Sequence, residues 1–119
     1  MLKSANRLKN KKDFLFVYRS RLRAHFPEIA IQWTARKNNQ LPSRFGIVVS
    51  NKISKKAVEK NRAKRLLREV IRNLIKQGNA PAGFDCVVSG KILILGAEYN
   101  TLYGMFYDFF KKQKSSINK

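Results

Sequence analysis

Apolar and polar residues alternate along this chain in two periods, and the changes of period mark the elements. After Asn10, the apolar positions Phe14, Leu15, Tyr18 and Leu22 recur at helical spacing. Asn10 stands as a cap with Asp13 three residues on in the manner of a capping box, so the spacing predicts a first helix over residues 11–21. Between residues 28 and 36 the period drops to two, with Ile29, Ile31 and Trp33 on one side and Ala30, Gln32 and Thr34 on the other, which predicts a strand. Residues 37–43, with Asn-Asn and Leu-Pro elements, read as a turn. Strand character resumes over 44–50 through Phe45, Ile47 and Val49, so the two strands are expected to form a hairpin.

The longest periodic stretch, residues 54–77, is predicted to be a helix stopped by Gly78 and Pro81. At 100° per residue, Ala63, Leu66, Leu67, Val70, Ile71 and Leu74 gather on one face. Asn61, Arg65, Arg68, Arg72 and Lys76 form a stripe nearly opposite. Residues 84–89 read as a further strand, with a short one around 92–95. Residues 97–112 read as a closing helix whose Tyr99, Leu102, Tyr103, Phe106 and Phe110 face a core. The predicted order is αββαβα, an α/β (α+β) arrangement, in a single domain over 1–119 with a basic arm at 1–6 and a frayed tail at 113–119.

Composition supports folding, because 119 residues with 44% hydrophobic content and eight Phe can build one core. Charge changes the picture more: 26 Lys plus Arg against 7 Asp plus Glu leave a net +19. A compact body with that field attracts phosphate backbones and releases their counterions, so nucleic acid is the expected partner. No apolar run approaches a membrane span, and no secretory signal is readable, so the cytoplasm is the expected location. Cys86 stands alone, which leaves no internal disulfide or zinc ribbon within one chain, and reads as buried filler.

The residues offer no catalytic or metal-binding set. His25 is the sole histidine, and the carboxylates of Asp13, Glu28, Glu59, Glu69, Asp85, Glu98 and Asp108 are scattered one per segment. There is no glycine-rich phosphate loop and no nucleophile elbow. The basic residues are clustered instead: residues 52–76 hold ten Lys or Arg against Glu59 and Glu69. A charged helix face is often only solvated. Arginines at i, i+3 and i+7 along one edge, almost free of acids, favour phosphate contacts, because each planar fork can hold two phosphate oxygens.

The stretch Phe45-Gly46-Ile47-Val48-Val49-Ser50-Asn51-Lys52-Ile53, followed by Ala57-Val58-Glu59-Lys60-Asn61-Arg62-Ala63-Lys64-Arg65-Leu66-Leu67-Arg68-Glu69, closely resembles the signature of the bacterial ribonuclease P protein subunit. Arg7-Leu8-Lys9, Asp13-Phe14, Val17-Tyr18 and Phe84-Asp85-Cys86-Val87-Val88 add matching segments. Lys60 replaces the first Arg of the family's Arg-Asn-Arg hallmark, and Asn51 stands where the family often has Lys. The resemblance implies a two-layer sandwich with a mixed sheet and a left-handed βαβ crossover through the hallmark helix. It implies a subunit of ribonuclease P that assists a catalytic RNA, with Mg²⁺ held mainly by that RNA, in removing the 5′ leader of precursor tRNA. It also implies that Lys60, Asn61, Arg62, Lys64, Arg65 and Arg68 bind the catalytic RNA, and that Phe14, Tyr18 and Lys52 bind the leader, with no catalytic residue on the protein. Read by spacing alone, Phe14 and Tyr18 are core positions, whereas the resemblance makes them partly exposed stacking surfaces. A structural RNA-binding protein, such as a ribosomal component, is the alternative reading. A protein-only nuclease is a third. No membrane and no obligate protein partner is indicated.

Overall fold

The computed structural model describes residues 3–38 and 40–117. Helices α1 (Lys11–Arg19), α2 (Ala57–Lys76) and α3 (Tyr99–Ile117) accompany strands β1 (Arg23–His25), β2 (Ile29–Ala35), β3 (Arg44–Val48) and β4 (Phe84–Gly90). The strands form one mixed sheet in the order β1-β2-β4-β3. β1 with β2 and β2 with β4 are antiparallel, while β3 and β4 are parallel and joined by α2.

The expected hairpin between the second and third predicted elements does not form. β2 pairs with β4, placing Trp33 opposite Cys86, and β3 lies on the far side of β4. The reason is burial. From Phe84 to Val88 every residue of β4 is buried, and a strand with both faces covered belongs in the sheet interior. β3 becomes an edge, capped by the amino-terminal segment, where Arg7 bridges to Phe45 and the Leu8 amide donates to the Phe45 carbonyl at 3.1 Å.

One face of the sheet carries the main core. Ile29, Ile31, Trp33, Phe45, Cys86 and Val88 meet Leu67, Val70, Ile71 and Leu74 of α2 and Leu102, Phe106, Phe109 and Phe110 of α3. The apolar face read for α2 is therefore the buried one, with Leu66 partly buried at its margin. α2 ends as its sequence demands. Gly78 takes φ 74°, and the Gly78 and Asn79 amides donate to the Ile75 and Leu74 carbonyls, a Schellman closure. Tyr99 and Tyr103 are only half-buried; Asn73 Nδ2 donates to the Tyr99 hydroxyl at 2.6 Å.

The other face carries α1, anchored by Val17 on Leu8 and Val87, with Phe14 and Val48 packed around them. The face read for this helix from Leu15 and Leu22 is wrong: both are exposed, and Val17 is fully buried. Five consecutive apolar residues, Phe14 to Tyr18, leave the inward direction undecided by period, and contact with Val87 decides it. The capping box is also absent. Asn10 makes no side-chain cap bond, and Asp13 instead meets Arg44 at 3.3 Å.

Three further segments differ from expectation. β1 is an extra strand; residues 92–95 lie in a 3-10 helix, Ile92–Gly96, in place of a strand; and α3 continues beyond 112. The expected arm is anchored from residue 4, since Ser4–Asn6 form a 3-10 turn and Asn6 Nδ2 donates to the Ser43 carbonyl at 2.9 Å. Met1, Leu2, Asn118 and Lys119 of the expected arm and tail lie outside the described residues.

Candidate nucleic-acid interface

Because α2 buries one face against the sheet and α3, its opposite face is presented outward along twenty residues. Asn61, Arg62, Arg65 and Arg68 are exposed on it, and Lys60 and Lys64 are half-buried. Among the described residues no ion pair involves Arg62, Arg65 or Arg68. The cation that does pair is Arg72, whose NH2 donates to Glu69 Oε1 at 2.7 Å. That bond holds the Glu69 carboxyl below its ordinary range and raises the Arg72 guanidinium further. The ridge thus offers three uncommitted guanidinium forks.

At the start of the ridge, Ser54 Oγ donates to Glu59 Oε1 at 2.6 Å, fixing the connection that leads into α2. The Lys60 ammonium donates to Asn51 Oδ1. The two positions that depart from the family pattern therefore touch: a neutral acceptor at 51 receives the lysine at 60. Lys52 is exposed in the same turn, so its sequence neighbour ties it to the beginning of α2.

The second candidate surface lies on the opposite face of the sheet. Phe14 and Tyr18 are side by side on α1, ring centroids 6.3 Å apart, and Tyr18 is 40% exposed. Phe14 is seated on bare backbone. A side chain at Gly46 would place its Cβ 2.5 Å from Phe14 Cε1, so glycine is what lets the ring approach the strand. Strand alternation puts Gly46 and Val48, Ala30 and Gln32, and Ser89 on the same face as Val87. The sheet beside α1 is thus a floor of mostly small side chains with an aromatic wall. That geometry serves stacking of unpaired bases.

Sequence reasoning missed the polar group beneath the amino-terminal half of α1. Asp85 on β4 is 5% exposed and receives Arg44 Nε at 2.8 Å and Arg44 NH2 at 2.7 Å, the two residues being register partners. Arg36 Nε stands 3.9 Å from the same carboxylate. Asp85 raises the Arg44 guanidinium above its ordinary value, the hydrogen bond outweighing desolvation. Asp85 and Arg44 are 41 positions apart, so only the parallel pairing of β3 and β4 reveals the bond.

Among the described residues no three His, Cys, Asp or Glu side chains gather to hold a metal ion. Asp13 and Asp85 both face Arg44. The described residues therefore gather no ligand set for a resident Mg²⁺. Cys86 is buried, as its setting in the β4 run required, and no helix among the described residues is long and apolar enough to cross a membrane.

Residues 2–114 match the family model described as Ribonuclease P. A ribonuclease P protein component from Histophilus somni (strain 2336) is 35% identical over 113 residues, covering 95% of this chain and 91% of that relative. One from Microcystis aeruginosa is 42% identical over 79 residues, where the match covers 64% of this chain and spans 65% of the relative's length. Among solved structures, the RNase P protein from Thermotoga maritima superposes with a TM-score of 0.74 at 26% identity, covering 89% of this chain and 96% of that one. The Staphylococcus aureus RNase P protein, 21% identical with a TM-score of 0.71, is similar in fold. With a family model matched along almost its whole length, and relatives similar across both the sheet and the basic helix, the chain belongs to the ribonuclease P protein family.

Proposed function

We propose that this chain is the protein subunit of ribonuclease P, in which a catalytic RNA cleaves the 5′ leader from precursor tRNA and the protein holds the two RNAs together. The observation that carries the reading is the exposed ridge of α2, where Arg62, Arg65 and Arg68 project without ion-pair partners among the described residues. Asn61 adds a donor and acceptor among them, and Lys60 and Lys64 flank the ridge. The catalytic RNA docks here. On the opposite face, Phe14 and Tyr18 beside the small-residue floor receive the unpaired leader, and Lys52 supplies a cation from the turn between β3 and α2. Mg²⁺ would be held mainly by phosphate oxygens of the RNA and would supply there activation of the attacking water and charge stabilisation for the leaving oxygen.

The protein's own contribution is electrostatic and positional. Two polyanions repel each other, and a body of net +19 placed between them lowers that cost. Family membership supports this reading over a structural RNA-binding role, and the cytoplasm is where precursor tRNA and the catalytic RNA would meet it. The test is reconstitution. The protein alone with Mg²⁺ and precursor tRNA should give no cleavage, and adding the cognate catalytic RNA at low Mg²⁺ should give the mature 5′ end. Cleavage without the RNA would overturn the assignment of catalysis, and no stimulation of the RNA would overturn the subunit role.

A further inference from the structure

α1 has two flanks, and the leader cleft uses only one. With Val17 pointing into the sheet, a rotation of 100° per residue puts Phe14 and Tyr18 on one side of the helix and Lys12, Asp13 and Phe16 on the other. On that outer side a cleft of about 500 Å³ opens between α1 and the connection from β2 to β3. Phe16, 57% exposed, and Leu41, 42% exposed, are its apolar walls. Lys12, Arg36, Lys37 and Arg44 are its cations. Arg36 is already held in place, since its NH1 donates to the Pro42 carbonyl at 2.7 Å. The two carboxylates in the cleft, Asp13 and Asp85, both lie on Arg44, and Asp85 also stands 3.9 Å from Arg36, so Arg44 and Arg36 balance the acids and Lys12 and Lys37 remain in excess.

Here an aromatic ring more than half in water stands beside Leu41 with two lysines in excess of the paired charges. It matches what single-stranded nucleic acid requires: a face for a base and ammonium groups for the phosphates on either side. We propose that the outer flank of α1 is a second single-stranded RNA subsite, in which an unpaired base stacks on Phe16 and its phosphates meet Lys12 and Lys37. The strand that occupies it is the distal part of the precursor leader. α2 lies on the other face of the sheet, so RNA docked on the α2 ridge leaves this flank to the strand that already runs along α1. α1 is then gripped from both sides, and affinity rises with leader length. This rests on the reading that the leader follows α1.

The test uses the reconstituted holoenzyme and precursor tRNAs of two kinds, one with a leader short enough to end in the Phe14–Tyr18 cleft and one with a long unstructured leader. Phe16→Ala should weaken binding of the long-leader substrate by about five- to 150-fold, the range for losing one stacked base. It should leave the short-leader substrate and the free catalytic RNA unaffected. Lys12→Ala combined with Lys37→Ala should flatten the salt dependence of long-leader binding by about 0.7 log units per log unit of salt for each lost phosphate contact. Equal loss for both substrates, loss of affinity for the catalytic RNA alone, or no change would each overturn the subsite. Tyr18→Leu, measured in parallel, separates the two readings. If it weakens both substrates while Phe16→Ala does nothing, only the outer subsite fails; if Phe16→Ala alone acts, the inner cleft fails. Phe16 is largely in solvent, so its truncation leaves folding intact, and an unchanged thermal midpoint verifies this.

Discussion

Replacing Arg44 with Ala would test the physical account of the sheet most directly. The change removes two charge-assisted hydrogen bonds, at 2.8 and 2.7 Å, from a carboxylate that is 5% exposed, and a third contact at 3.3 Å that ties α1 to β3 through Asp13. Breaking a buried pair by deleting one partner costs about 3–5 kcal/mol, because the other charge is left unpaired. Two features lower that here: the Arg44 side chain is 23% exposed, and Arg36 still stands 3.9 Å from Asp85. A loss of about 2–3 kcal/mol follows, a large share of the roughly 5–15 kcal/mol that holds a domain of this kind. At this chain length it corresponds to a fall in Tm of roughly 8–12 °C. The assay is a double-mutant cycle by urea denaturation, with Arg44→Ala, Asp85→Asn and the pair. Asp85→Asn removes the buried charge, so the double variant should recover about 1.5 kcal/mol or more relative to additive losses. Amide exchange in α1 should also quicken in Arg44→Ala. A single-variant loss below about 0.5 kcal/mol, or a coupling near zero, would refute the reasoning, since the pair would then be acting as a solvated surface bridge.

Other outcomes follow from the same geometry. Arg65→Ala with Arg68→Ala should weaken binding of the catalytic RNA and flatten its salt dependence by about 0.7–0.9 log units per log unit of salt for each lost phosphate contact, read by filter binding across a salt series. An unchanged slope would put the RNA on another face. Gly46→Ala should destabilise by roughly 1–3 kcal/mol through collision of the new Cβ with the Phe14 ring; in a Phe14→Ala background the penalty should vanish, as chemical denaturation would show. Burial pushes the Cys86 thiol well above its ordinary value, with neighbouring Asp85 adding to it. The folded state therefore keeps a proton that the unfolded state releases near pH 8.5, and stability from this group is complete below that pH and falls above it by up to about 1.4 kcal/mol per pH unit. Denaturation of Cys86→Ala between neutral and alkaline pH should show a shallower decline than the parent chain.

The elements that were legible in the sequence are those whose partners lie within a few residues. α2 declares itself through period, apolar face and a Gly78 stop, and β2 through strict alternation at Ile29, Ile31 and Trp33; both are found in place. The basic ridge was legible for the same reason, because a helix with one committed apolar face must show its opposite stripe outward. α1 was harder. Its run of five apolar residues satisfies several faces equally, and the choice of Val17 depends on Val87, seventy residues away in the chain.

What local chemistry determined was therefore the inventory: three helices, most strands, a cationic ridge and a chain suited to polyanions. Tertiary structure alone decided how these were joined. β4, buried along its length from Phe84 to Val88, took the interior position between β2 and β3 and displaced the hairpin that adjacency favoured. That single placement brought Asp85 beside Arg44, set Gly46 beneath Phe14 and divided the flanks of α1 into two clefts. Period is a property of neighbouring residues. Pairing, by contrast, is settled by which distant apolar surfaces lose most water when they meet, and no short window of sequence contains that comparison.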